Sequence, residues 1–160
     1  MTSQLPRASR AFEDVAVGMA LDAVTVRPTA TQLFRFSAAT WNAHRIHYDA
    51  RYAATEGYPD VLVQSHLHGC FLLRTALGWA GPAARLRSFG WRNRGIAVPG
   101  DTLTCTGVVT ACRVDESGAG IVECALEERK DDGTLCAPGT AVLELPRRSP
   151  DGGDGEDARA

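Results

Sequence analysis

The stretch SHLHGCFLLRTALGWA, residues 65–80, carries the longest helical pattern of the chain and decides its fold. Apolar residues occupy nearly every face of a helix built from this stretch, with an exception around Arg74. A helix with so little polar surface must be covered by other structure on most of its sides. We therefore expect residues 65–80 to form the buried central helix of the domain.

The half of the chain that follows this helix has the pattern of β-strands. Turn sequences such as DESG, residues 115–118, separate runs in which polar and apolar residues alternate. The alternation gives each strand one polar face, which is typical of an antiparallel sheet that is covered on one side only. The predicted strands span residues 85–94, 102–114, 120–130 and 134–145.

The residues before the central helix predict one more strand and two short helices. Residues 19–27 form the strand, which Pro28 ends, and Thr31 and Asp49 are the expected N-caps of the two helices. A long buried helix followed by an antiparallel meander describes a sheet wrapped around a helix. The predicted fold class is therefore α+β, a single hot-dog domain with an antiparallel sheet of five or more strands.

Length and charge limit the domain organisation and the partners. A chain of 160 residues has room for one core. We expect the hot-dog domain over residues 11–146, and disorder over residues 1–10 and 147–160, which are poor in large apolar side chains. The net charge of -2 gives no electrostatic reason to expect nucleic acid or an anionic membrane as a partner.

The cysteines and the apolar runs indicate a cytoplasmic protein without a metal site. The five cysteines are odd in number and scattered singly, and none forms a CxxC pair, which argues against a zinc or redox site. No run approaches about 18 continuous apolar residues, and the N-terminus lacks the apolar core of a secretion signal. We expect buried, reduced thiols.

The four histidines fall in two short stretches and suggest proton transfer. His44 and His47 lie in NAHRIHYD, residues 42–49, while His66 and His68 lie at the start of the central helix. The unperturbed pKa of histidine, about 6.5, is close to neutrality. A hydrogen-bonded surface or core histidine is the alternative for each of them, and we favour it for His68. His47 is expected in a loop, where its replacement would largely spare folding.

Residues 36–67 resemble the MaoC-like dehydratases, a hot-dog family that includes the (R)-specific enoyl-CoA hydratases. The family motif is Asp-x-Asn-Pro-x-His followed by an acidic residue, and this chain has NAHRIH at residues 42–47, followed by Asp49. The run HRIHYD, with EGYPDVLV at residues 56–63, resembles the subgroup related to mesaconyl-CoA hydratase and fatty-synthase-type dehydratases. PGDTL, residues 99–103, resembles the turn into the family's next strand.

This resemblance implies a hydratase or dehydratase that adds or removes water at the β-carbon of an enoyl or 3-hydroxyacyl thioester. The thioester would be bound to CoA or to a carrier protein, with no cofactor beyond the CoA or phosphopantetheine of the substrate. The catalytic residues would be His47 and Asn42, and backbone N–H groups at Ser65 and His66 would bind the thioester carbonyl. Ser65 is also a candidate N-cap, and the two roles are compatible.

Three departures from the family pattern change the expected chemistry. Asn42 stands in place of the catalytic aspartate, Arg45 in place of the motif proline, and Ser65 in place of the glycine at the helix start. An asparagine can orient water through hydrogen bonds but cannot take its proton at neutral pH. His47 would therefore carry the acid/base chemistry alone, or with help from Tyr48, Asp49 or His66.

The residues around His47 also have structural interpretations. His44 takes the family's asparagine position, so it either sets the geometry of the loop or faces the substrate. Trp41 and Tyr48 are expected mainly to pack the loop. Asp49 is expected to cap a helix first and to be a partner of a histidine second.

Two other functions compete with the hydratase interpretation. A non-catalytic subunit that pairs with a second hot-dog chain is favoured by Asn42 and opposed by His47. Thioester hydrolysis on this fold usually needs a carboxylate near the central helix, and no Asp or Glu lies between residues 61 and 94. A lone hot-dog leaves a sheet edge open, so we expect a homodimer or a heteromer. Arg92, Asn93 and Arg94 are either contacts for the phosphates of CoA or part of a solvated strand edge.

Overall fold

The computed structural model describes residues 8–148, and its helices and strands follow the predicted order. The helices are α1 (Ala30–Thr40), α2 (Ala50–Thr55) and α3 (Ser65–Ala80), and short 3-10 turns cover Phe12–Asp14 and Arg45–His47. The strands are β1 (Val24–Val26), β2 (Arg85–Trp91), β3 (Leu103–Val114), β4 (Gly120–Lys130) and β5 (Leu135–Leu145).

The five strands of the described chain join one antiparallel sheet in the order β1-β3-β4-β5-β2. Two consecutive hairpins form its centre, with Leu103 opposite Lys130 across β3 and β4, and Gly120 opposite Leu145 across β4 and β5. The predicted strands 102–114, 120–130 and 134–145 are confirmed to within one residue at each end. The predicted strand 85–94 ends earlier, at Trp91, on the edge of the sheet.

α3 packs against one face of this sheet and is buried as predicted. Complete burial of a Leu or Phe side chain stabilises a fold by roughly 1.5–3 kcal/mol, so α3 contributes a large share of the stability. At Gly69 the helix lies directly against the side chain of Trp91 in β2. A Cβ added at Gly69 would lie only 2.8 Å from Cε2 of Trp91. The helix and sheet side chains that meet in the core include Phe71, Leu72, Ala76, Trp79, Leu103, Val122, Leu126 and Leu143. The α+β hot-dog architecture is thus confirmed.

Two boundaries in the N-terminal half differ from the prediction. β1 covers only residues 24–26, because the pairing of the preceding residues with β3 is interrupted after Leu21, whose N–H donates to Gly107 O at 2.9 Å. Thr29 rather than Thr31 caps α1, since its hydroxyl accepts from the Gln32 N–H at 3.1 Å. Asp49 caps α2 as predicted.

The contacts of the domain extend slightly beyond the predicted limits of residues 11 and 146. The Arg10 N–H donates to Ala80 O at 3.0 Å, at the end of α3. Arg148 pairs with Asp14 at 2.6 Å. The rest of the two segments predicted to be disordered, residues 1–7 and 149–160, lies outside the described residues.

The expectation of buried thiols is confirmed for Cys105, Cys124 and Cys136, but it was wrong for Cys70, which is exposed, and Cys112 is only half-buried. All five cysteines are free, and burial raises the pKa of Cys124 and of Cys136 to about 11, which keeps both thiols protonated. Among residues 8–148, no three His, Cys, Asp or Glu side chains are close enough to hold a metal ion. Within the same range, no helix is long and apolar enough to cross a membrane.

A buried pair, His68 and Glu128, ties α3 to β4. Nδ1 of His68 donates to Oε1 of Glu128, and the Cys105 thiol donates to the other carboxyl oxygen at 3.6 Å. Both residues are almost completely buried. His68 therefore has the structural role that the sequence favoured, and its partner is a carboxylate that comes from sixty residues away.

We expect Glu128→Ala to lower the free energy of unfolding by about 3–5 kcal/mol, because it leaves a buried imidazole without its partner. Glu128→Gln keeps an acceptor of the same shape and should cost less. Glu127→Ala, which removes a surface pair with Arg129, is the control and should cost under about 1 kcal/mol. Urea unfolding measures all three, and equal losses for Glu128→Ala and Glu127→Ala would contradict a stabilising role for the pair.

Candidate functional site

An extended segment, residues 61–64, leads into α3 and forms the base of the candidate site; we call it the entry segment. Val61, Leu62 and Val63 are buried, so the core fixes its position. Its backbone is held on two sides, because the Leu62 N–H donates to Ile46 O at 2.8 Å and the Val63 N–H donates to Ala97 O at 2.9 Å. It therefore offers the neighbouring loop a rigid support.

His47 is bound to this segment through its ring. It lies in the 3-10 turn Arg45–His47, is buried, and its Nδ1 is 2.8 Å from Leu62 O. Because a carbonyl can only accept, Nδ1 carries the proton of the neutral ring, and Nε2 keeps its lone pair. His47 thus lies in a short 3-10 turn rather than in an open loop, and its side chain is buried and bonded; that its loss largely spares folding stays a prediction.

The surroundings of His47 keep the ring neutral. Burial has the largest effect and lowers its pKa, and the charge of His44 lowers it further. The hydrogen bond to Leu62 O raises the pKa but does not offset these two causes. The ring of His44 lies edge-on to that of His47, with ring centroids 5.9 Å apart. A neutral imidazole with a free lone pair is a proton acceptor at physiological pH.

Asn42 follows the end of α1, where Trp41 takes the left-handed conformation with φ of 56°. The Asn42 N–H donates to Ser37 O at 2.9 Å, and its Oδ1 accepts from the His44 N–H at 3.2 Å. The side-chain oxygen thus shapes the loop, while the Nδ2 donors form no hydrogen bond with residues 8–148. The half-buried amide can donate to a water through Nδ2, and Oδ1 keeps a second lone pair as an acceptor.

The other predicted site residues of this loop have structural partners. Asp49 caps α2 and pairs with Arg45, Nη2 to Oδ2, at 2.6 Å, so its carboxylate is not placed on a histidine. The Tyr48 hydroxyl donates to Ala43 O at 2.8 Å and braces the loop. His44 contacts His47, and its Nε2 lies 3.9 Å from Oε1 of Glu56.

The start of α3 is left without a side-chain cap. Gln64, not Ser65, is the N-cap residue, and its side chain makes no capping hydrogen bond. The Ser65 hydroxyl instead donates to Oδ1 of Asn93 at 3.2 Å, and Trp91 Nε1 donates to Ser65 O at 3.0 Å. The exposed ring of His66 lies edge-on to Trp91. The first N–H groups of the helix, at the positive end of its dipole, thus remain available to an oxygen of a ligand.

Gln64 is fully buried, although no pattern in the sequence predicted it as a site residue. Its amide contacts α1, where it donates to Leu33 O at 2.7 Å and to Oγ of Ser37 at 3.0 Å. The available signal was a single polar residue between the apolar run of residues 61–63 and the helix. Its partners lie about thirty residues earlier in the chain, so the local sequence pattern did not indicate which residues Gln64 contacts.

Two grooves flank these residues. An apolar groove of about 220 Å³ runs beside Asn42 between Phe34, Trp41 and Tyr48. Trp41 is 92% exposed, so the prediction that it packs the loop was wrong. A second groove, of about 430 Å³, lies along β2 and β5 and is lined by Arg92 and Arg94.

The chain matches one family model and several known proteins. A family model described as hydroxyacyl-thioester dehydratase type 2 matches residues 7–99. Mesaconyl-C(4)-CoA hydratase from Chloroflexus aurantiacus is 53% identical over 53 residues, which are 32% of this chain and 19% of that protein. This match thus spans only about one fifth of that relative's length.

Two further relatives come from Mycobacterium tuberculosis. The 3-oxo-4,17-pregnadiene-20-carboxyl-CoA hydratase beta subunit is 31% identical over 59% of this chain and 74% of its own. A chain of the ChsH1-ChsH2 complex superposes with a TM-score of 0.73 at 26% identity, over 81% of this chain and 98% of that one. The family, the hot-dog fold and the mesaconyl-CoA hydratase likeness predicted from the sequence are confirmed.

We expect NMR titration of the imidazole resonances to give His47 a pKa below the ordinary value of 6.5, because burial disfavours its charged form. His44→Gln removes a nearby charge and should raise the pKa of His47, while burial keeps it below 6.5. A titration of His47 at or above 6.5 in the wild type would contradict the neutral base.

Proposed function

This chain belongs to the hydroxyacyl-thioester dehydratase type 2 family, and we propose that it adds or removes water at the β-carbon of an enoyl or 3-hydroxyacyl thioester. The observation that carries the proposal is the buried, neutral His47, whose Nδ1 is held by Leu62 O and whose Nε2 is left as an acceptor. General acid/base catalysis of this reaction needs such a group.

His47 is the proposed acid/base. In hydration, the oxygen of water bonds to the β-carbon while Nε2 takes a proton from that water, and the electrons of the double bond move onto the thioester oxygen. The α-carbon then takes a proton from the imidazolium as the thioester carbonyl re-forms. Dehydration is the reverse, so water, protons and electrons balance within the site.

The start of α3 is the proposed binding site of the thioester oxygen. Negative charge develops on this oxygen in the transition state, and backbone N–H groups that are already oriented stabilise it without reorganisation. The N–H groups of Ser65 and His66 suit this role because the Gln64 side chain does not cap the helix. The side chains of Ser65 and His66 are engaged with Asn93 and Trp91 and are not needed for it.

Asn42 is proposed to position the water rather than to activate it. Its Oδ1 already accepts from the His44 N–H, so Nδ2 is the group that donates to the water oxygen. Tyr48, Asp49 and His44 support the loop, and His44 also lowers the pKa of His47.

The substrate is proposed to be a thioester of CoA or of a carrier-protein phosphopantetheine, with no further cofactor. The names of the relatives, mesaconyl-C(4)-CoA hydratase and a carboxyl-CoA hydratase subunit, support the CoA thioester. The groove of Arg92 and Arg94 supports an anionic carrier, because neither guanidinium has an ion pair within residues 8–148 and none of the lining residues is acidic.

The assembly is proposed to be a dimer, homomeric or with a second hot-dog chain, in the cytoplasm. β2 is an edge strand whose first four residues, 85–88, are exposed, and unpaired strand edges favour pairing with another chain. The free thiols fit a reducing compartment.

A non-catalytic subunit of a heteromeric dehydratase is the second candidate. Asn42 in the aspartate position favours it, and so does a relative that is named as the beta subunit of a hydratase. Thioester hydrolysis has less support. Glu128 is the carboxylate that the fold brings to α3, but it is fully buried and bonded to His68 and Cys105, so it cannot reach a substrate.

We expect Asn42→Ala to impair hydration strongly, because the loop loses the bond to the His44 N–H and the water loses its donor. Asn42→Asp keeps the acceptor for the loop and replaces the Nδ2 donor by a titrating carboxylate that can accept the proton of the water, so activity should persist or rise with an altered pH profile. Both rates are measured with an enoyl-CoA against the wild type. If the chain is a non-catalytic partner, neither substitution will change the rate of the assembled complex.

A further inference from the structure

We propose that Gln64 is a positioning residue that fixes Asn42 relative to the oxyanion-binding start of α3. The inference rests on the proposed function for its catalytic meaning, although its structural part can be tested without any substrate. Gln64 belongs to the entry segment, directly before the two N–H groups proposed to bind the thioester oxygen.

The Gln64 side chain forms a bridge from the entry segment to α1. It is 0% exposed, and Nε2 donates to Leu33 O at 2.7 Å and to Oγ of Ser37 at 3.0 Å. The orientation of the amide is determined, because Leu33 O can only accept and must therefore face the NH2 group. Both donors of that group are used on one helix.

The bridge continues to Asn42 through Ser37. The Ser37 carbonyl accepts from the N–H of Trp41 at the C-cap and from the N–H of Asn42 at 2.9 Å. Two hydrogen bonds and one residue thus separate Gln64 from the backbone of Asn42. A shift of α1 along α3 would break the bond to Ser37 and displace Asn42.

The same segment also sets the position of His47. Leu62 O, two residues before Gln64, holds Nδ1 of the ring. The entry segment therefore positions three groups of the site. Its backbone holds the ring of His47, the side chain of Gln64 holds the amide of Asn42, and its end leads directly into the free N–H groups of α3. Gln64 is the member of this set whose contribution comes from a side chain alone.

The chemistry of Gln64 is unfavourable for stability, which argues for a role in function. Its Oε1 is buried and has no hydrogen-bond partner in the described chain. It occupies an N-cap position without capping the helix. A buried acceptor without a partner and a missing cap both cost stability. An apolar side chain of equal length would avoid the first cost, so the amide is best explained by the geometry that it holds.

The test compares Gln64→Met with Gln32→Met, the same change at an exposed position of α1. We expect Gln64→Met to keep the urea midpoint near that of the control and to lower kcat on the order of 10²-fold, with KM little changed, because the binding groups stay in place. The backbone amides of Trp41 and Asn42 should exchange with solvent faster in Gln64→Met than in the control, while those of β4 should not.

Gln64→Glu gives a second test that does not depend on tolerance of Met. The ionised carboxylate cannot donate to Leu33 O, whereas the protonated form can, and burial favours protonation. The activity of Gln64→Glu relative to the wild type at each pH should therefore rise as the pH falls. Ser37→Ala removes one of the two acceptors, and its loss in kcat should not add to that of Gln64→Met.

Three results would overturn the inference: unchanged amide exchange at Asn42 in Gln64→Met, a kcat within about twofold of the control, or a loss in kcat explained by the unfolded fraction. The amide exchange at Asn42 shows whether Gln64 holds this residue in place, even if the wild type turns over no enoyl thioester. In that case the proposed function fails, while a faster exchange still assigns the positioning role to Gln64.

Discussion

The hydrogen bond from His47 Nδ1 to the Leu62 carbonyl is the interaction on which the candidate site depends. It fixes the tautomer of the ring, and so decides which nitrogen can accept a proton. The carbonyl itself is immobile because Leu62 and Val63 are buried and their N–H groups are bonded to Ile46 and Ala97. The catalytic geometry is therefore built on the core rather than on the loop that carries the histidine.

The site combines three unfavourable features that the fold sustains. His47 is partly desolvated, the start of α3 lacks a side-chain cap, and Gln64 leaves a buried oxygen unpartnered. Each of these features lowers stability, and each favours the proposed reaction. The desolvation keeps His47 neutral, the missing cap leaves two N–H donors free, and Gln64 holds the amide of Asn42 in place. The packing of α3 against the sheet and the pair of His68 with Glu128 provide the stability that offsets these costs.

The sequence predicted the architecture well, because its strongest signals are local. The apolar pattern of residues 65–80 and the alternation in β3 to β5 determined helix and strands almost to the residue. The short β1 and the cap at Thr29 were missed, since an interrupted strand and two nearby threonines give no distinct local pattern.

The site was predicted only in part, because its geometry depends on contacts between distant residues. The family motif identified His47 and Asn42, but not that Oδ1 of Asn42 is occupied by the loop. Glu128 was not predicted to lie beside the helix, because it follows His68 by sixty residues in the sequence. Gln64 was missed for the same reason, because its partners Leu33 and Ser37 lie on another helix.

The most direct test of the central claim is a double assay of the purified chain and of His47→Ala with a short enoyl-CoA. Loss of the ultraviolet absorbance of the enoyl thioester reports hydration, and the concentration of free thiol reports hydrolysis. The account predicts hydration by the wild type without thiol release, and a rate that is 10²–10⁴-fold lower in a folded His47→Ala chain, roughly the contribution of one acid/base group. Hydration at a near-normal rate by His47→Ala, or none by the wild-type chain alone, would contradict it.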